Sequence, residues 1–148
     1  MAGVSGEVKI AVDGVHKRFQ SGSGVVEALR DVTFSVQEGE FVCIIGSSGA
    51  GKTTLFRIIA GLEEPTSGTV RLDGEPVDGP GTDRGMVFQE YGLFPWRTVL
   101  GNVTFGLEQR AMSGSARRER AREMIDLVGL GESKDSYPKE LSGGMKQR

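Results

Sequence analysis

Gly46-Ser47-Ser48-Gly49-Ala50-Gly51-Lys52-Thr53-Thr54 decides how this 148-residue chain is read. The apolar run Phe41-Val42-Cys43-Ile44-Ile45 precedes it. Leu55, Ile58, Ile59 and Leu62 follow it at helical spacing. A buried strand, a glycine loop and a helix in that order predict a phosphate-binding P-loop. Gly46, Gly49 and Gly51 carry no Cβ, so the backbone can take positive φ and approach a phosphate closely. The amides of Ser47, Ser48 and Ala50 join theirs in an anion nest, and the helix starting near Lys52 adds the positive end of its dipole. Lys52 supplies a point charge for β- and γ-phosphates, and the Thr53 hydroxyl is placed to ligate Mg²⁺. Thr54 completes the set near the α-phosphate. The loop therefore commits the chain to a nucleoside triphosphate.

The bulk numbers set bounds. A chain of this length suits one modest domain. Its hydrophobic content of 37% is enough for a core, and a net charge of −2 gives no pull toward nucleic acid or anionic lipid. Cys43 is the single cysteine, so no disulfide forms within the chain. Its place in the apolar run predicts an inert core thiol. No apolar run is long enough to span a membrane. Met1 to Gly6 reads as a disordered lead, and Met1 to Lys9 has no apolar stretch of the signal-peptide kind.

Outward from the loop, Val8, Ile10 and Val12 alternate as a strand does, and Val25 to Val36 holds one or two edge-type strands. Gln20 to Gly24 is a Gly/Ser turn. The loop helix runs to about Ala60, where Gly61 can end it. Thr69 to Leu72 is a short strand, and Asp73-Gly74 makes a hairpin turn. Gly85 to Phe88 is a further strand ending at Gln89. From Pro95 the texture turns helical. Val99, Val103 and Leu107 share a face, Ala121, Met124, Ile125 and Val128 share another, and Gly129 marks a stop. The run Arg117 to Glu123 interleaves both charge signs and reads as a solvated helix face, not a nucleic-acid stripe.

With these residues in place, the chain resembles the ATP-binding subunit of ABC transporters from about Val8 to Arg148. Besides the P-loop, Phe19 in Val15-His16-Lys17-Arg18-Phe19 matches the aromatic A-loop that stacks on adenine. Gln89 in Val87-Phe88-Gln89-Glu90 matches the Q-loop. Leu141-Ser142-Gly143-Gly144-Met145 matches the signature, with Met in place of the more common Gln. The resemblance implies an α/β fold. It consists of a P-loop NTPase core of ABC type, about 8–94, with a mixed sheet and an antiparallel β subdomain. A helical subdomain, about 95–148, ends in the signature. It also implies ATP and Mg²⁺ as cofactors, with Gln89 on the metal or the attacking water. Ser142, Gly143 and Gly144 would face the γ-phosphate held by a second subunit in a homodimer. Further partners would be membrane permease subunits and, indirectly, a solute-binding protein, with no nucleic acid, at the cytoplasmic face of the membrane. Phe94-Pro95-Trp96-Arg97 is similar to importers of the nitrate, sulfonate and taurine class.

Phe19 also reads as a plain core aromatic, and Gln89 as a surface glutamine. The Lys17-Arg18 pair before Phe19 and the Gly/Ser turn after it favour the adenine platform. Trp96 reads as a packing or permease-contact residue. The family's catalytic Asp-Glu strand end and switch His have no counterpart after Leu141, and His16 precedes the P-loop. The expectation is an N-terminal fragment of an importer ATPase subunit that couples ATP binding and hydrolysis to solute uptake; the fragment alone has no turnover, and an unpaired sheet edge promotes aggregation. A nucleotide-binding module without turnover and a non-transport ABC ATPase are the alternative readings.

Overall fold

The computed structural model describes residues 6–22, 24–108 and 110–148. The lead at residues 1–5 and Ser23 in the Gly/Ser turn lie outside the described residues. The chain divides into two compact units at the Met86–Val87 junction.

The first unit is built on an antiparallel sheet. Strand β1 (Val8–Ser21) pairs with β2 (Gly24–Gln37) along nearly its whole length, and its other edge pairs with β3 (Ser67–Leu72), which turns into the short β4 (Glu75–Pro76). The sheet order is β2-β1-β3-β4. Both long strands exceed the segments that alternation alone marks out. Irregularities between Val12 and Arg18 break the period of two, and Gly14 sits at φ 54° among them. At the β3–β4 turn Asp73 and Gly74 both take positive φ, 51° and 82°, as a type I′ hairpin requires.

Helix α1 (Lys52–Ile59) buries Leu55 and Ile58 against Val12, Val15, Leu29 and Val70 of the sheet. Gly61 ends it in the left-handed region at φ 73°. The strand expected at Phe41 to Ile45 does not form. No ladder partner lies beside it among the described residues. Only Ile44 packs on the core, while Phe41 is 94% and Ile45 90% exposed. Cys43 is likewise exposed, which corrects its assignment to the core. An apolar run supplies side chains for burial on two faces, but backbone N–H and C=O groups need neighbours to make a strand.

The second unit is helical. It holds α2 (Val99–Phe105), α3 (Gly114–Leu127), two short 3₁₀ turns (Gly131–Ser133 and Pro138–Glu140) and α4 (Gly143–Gln147). Thr98, Ser113 and Ser142 cap the three α-helices, each side-chain oxygen accepting an amide of the first turn. Val99, Ile125, Leu130 and Leu141 form the core. Met124 is half-buried and Val128 exposed, so the buried stripe of α3 is narrower than its sequence pattern. Gly129 ends the α3 segment at φ 70°. The strand expected at Gly85 to Phe88 is absent for the same reason as at Phe41 to Ile45, and Val87 is 84% exposed.

Candidate functional site

The glycine loop owes its shape to two residues in the left-handed region. Gly49 has φ 80° and Gly51, the N-cap of α1, φ 81°. At Gly51 a Cβ would overlap the carbonyl oxygen of Ala28 on β2, so glycine is required for space as well as for torsion. Gly46 is different. Its φ is not positive, and its lack of a Cβ relieves a 3.3 Å approach to the Cβ of Ala50.

Within the loop the Ala50 amide donates to the Ser47 carbonyl at 3.3 Å, while the amides of Ser48, Gly49 and Gly51 find no acceptor among the described residues. Lys52 folds back over the loop. Its Nζ donates to the carbonyls of Gly46 at 2.7 Å and Ser47 at 2.6 Å. An ammonium held in a loop with several amides lacking acceptors fits a polyanion. Thr53 is exposed on the first turn and Thr54 is half-buried behind it. No group of three or more His, Cys, Asp or Glu side chains able to hold a metal occurs among the described residues. A divalent ion at this loop would therefore lean on phosphate oxygens and the Thr53 hydroxyl, as Mg²⁺ does at nucleotide sites.

Phe19 stands near the end of β1, opposite Val26 of β2, and is 38% exposed. The ammonium of Lys17 lies 4.9 Å from its ring centroid. Sequence reading treated Lys17 only as half of a basic pair. The signal was its spacing, since residues two apart on a strand share a face.

In the second unit Gln89 is exposed in an irregular segment. Ser142 caps α4 by accepting the Met145 amide at 3.3 Å, which leaves Gly143 and Gly144 exposed on the first turn. Tyr91 lies beside them: a Cβ on Gly143 would sit 3.2 Å from its hydroxyl. Sequence reading also missed Asn102. Its Oδ1 accepts the Phe94 amide at 2.8 Å, and its Nδ2 donates to the carbonyls of Phe94, Arg97 and Thr98 at 3.0–3.2 Å. That fixes the loop bearing Trp96, which is 70% exposed. Arg97 stacks on Phe94 and Phe105 and pairs with Glu108 at 3.0 Å.

A glycine loop wrapped on the start of a helix that packs against a β-sheet places the chain among P-loop proteins. The chain belongs to the ABC transporter family, whose model matches residues 29–148. It is 53% identical over 96% of its length to an uncharacterized ABC transporter ATP-binding protein of Methanocaldococcus jannaschii, covering 53% of that protein. It is 50% identical over 94% of its length to the nitrate import ATP-binding protein NrtD of Synechocystis sp., covering 52%. The taurine import ATP-binding protein TauB of Burkholderia pseudomallei is 45% identical over 95% of the chain, which covers 54% of it. Among solved structures, a dimeric ATP-binding cassette in a post-hydrolysis state with ADP and Pi matches with TM-score 0.80 and 35% identity. That match covers 93% of this chain and 65% of the other. The chain thus spans about half the length of these curated relatives.

Proposed function

We propose that the chain is the ATP-binding part of an ABC importer subunit that couples ATP binding and hydrolysis to solute uptake. The observation that carries this is the Lys52 ammonium bonded to the Gly46 and Ser47 carbonyls of a loop whose Ser48, Gly49 and Gly51 amides have no acceptor among the described residues. In this reading those amides cradle the phosphates, Lys52 turns from the loop carbonyls to the β- and γ-oxygens, and Phe19 stacks on adenine. Thr53 would hold Mg²⁺, which would supply charge neutralisation for the phosphates, and the family resemblance gives Gln89 a role toward the metal or the attacking water. Ser142, Gly143 and Gly144 would meet the γ-phosphate bound by a second copy, so that a homodimer builds each site from two chains. The chain would sit at the cytoplasmic face of the membrane, with permease subunits as its membrane partners and a solute-binding protein as an indirect one. The nitrate and taurine importers among the relatives favour a nitrate, sulfonate or taurine class of solute. Among the described residues, no helix is long and apolar enough to cross a membrane.

A polypeptide of these 148 residues is expected to bind ATP without turnover, because it lacks the family's Asp-Glu strand end and switch His. Titration with a fluorescent ATP analogue tests the site. Lys52→Ala should abolish binding, and unchanged affinity would overturn the assignment.

A further inference from the structure

The ammonium of Lys17 is held from three sides. It pairs with the Glu63 carboxylate at 2.6 Å, donates to the Glu64 carbonyl at 2.7 Å, and faces the Phe19 ring at 4.9 Å. Its side chain is only 13% exposed, which is unusual for a lysine. Glu63 and Glu64 belong to the connection that leaves α1 at Gly61. The same connection is tied to β1 twice more. The Thr66 amide donates to the His16 carbonyl at 2.8 Å, and the Arg18 amide donates to the Thr66 hydroxyl at 2.9 Å. The strand segment from His16 to Phe19 is therefore joined to the exit of the helix whose start forms the phosphate loop. A cation on one face of an aromatic ring fixes its orientation and leaves the opposite face for stacking.

We infer that Lys17 is a positioning residue for base recognition: anchored by Glu63 and Glu64, it holds the Phe19 ring in the orientation that accepts adenine and couples that platform to the phosphate loop through α1. The inference rests on the reading of Phe19 as the adenine platform, and the Lys17 ammonium is already engaged by Glu63, Glu64 and the Phe19 ring. It predicts a base-specific effect. A lysine that merely stabilised the fold would weaken phosphate binding in the same proportion as base binding.

The experiment measures dissociation constants for ATP and for inorganic tripolyphosphate, both with Mg²⁺, on the full 148-residue chain. Lys17→Met should weaken ATP binding roughly 3- to 10-fold and leave tripolyphosphate unchanged, and Lys17→Arg, which keeps a cation over the ring, should stay within about 2-fold of the parent chain. Phe19→Ala should weaken ATP roughly 5- to 150-fold, again sparing tripolyphosphate, and in that background Lys17→Met should have no further effect. An equal loss for both ligands in Lys17→Met, including loss through misfolding, would overturn the inference. So would no loss for either. An ATP affinity unchanged by Phe19→Ala would remove the platform reading and the inference with it. A loss in Phe19→Ala without one in Lys17→Met would remove the inference alone.

Discussion

At Gly51 the backbone meets two demands at once, a left-handed φ of 81° and room for the Ala28 carbonyl. A side chain satisfies neither. Gly51→Ala should cost at least about 1–3 kcal/mol in the torsion alone, with the overlap added, so its denaturation midpoint should fall clearly. An unchanged midpoint would mean the loop adopts another shape. Glu63 makes a second prediction at this scale. The Lys17 ammonium hydrogen-bonded to it holds its carboxyl below the ordinary glutamate value of 4.5, with burial opposing and Arg57 adding further attraction. A depressed value means the pair contributes in full above pH 4.5 and is lost as pH falls through the folded value. The melting temperature of the parent chain should drop more between pH 5 and pH 3 than that of Glu63→Gln. Equal drops would contradict it. Residues of the glycine loop were legible in the sequence because their spacing alone encodes the local backbone. Lys17 was not, because its role depends on a partner 46 positions away, Glu63.

Among the elements, α1 and the Asp73-Gly74 turn follow directly from sequence pattern, since capping glycines and helical periodicity act within a few residues. The run Phe41 to Ile45 does not behave as its pattern suggests. Five apolar residues in a row describe what a strand would bury, and say nothing of which strand supplies its hydrogen bonds. Only Ile44 finds the core. The same gap left Gly85 to Phe88 without a ladder. Asn102 illustrates the opposite case, a polar residue inside a helix pattern whose importance is invisible until its four bonds to the Phe94–Thr98 loop are seen. Asn102→Ala leaves a partly buried amide and three carbonyls without that partner. It should destabilise the second unit by about 1–3 kcal/mol. Amide hydrogen exchange at residues 94–98 checks this: faster exchange is expected, and unchanged protection would contradict it.

Taken as a whole, the described chain leaves large apolar side chains in water. Phe41, Ile45 and Val87 are each more than four-fifths exposed, and Trp96 is 70% exposed. Surfaces of this kind associate or bind apolar dyes. The isolated 148-residue polypeptide should bind ANS and elute larger than a monomer. A monodisperse monomer with no ANS signal would contradict that expectation. Amide NMR of the ¹⁵N-labelled chain during a titration with Mg·ATP reads nucleotide binding at the glycine loop itself. Binding should shift the amides from Gly46 to Thr54 together with that of Phe19, all saturating with one dissociation constant. Shifts confined to other residues, or none at millimolar nucleotide, would contradict the account.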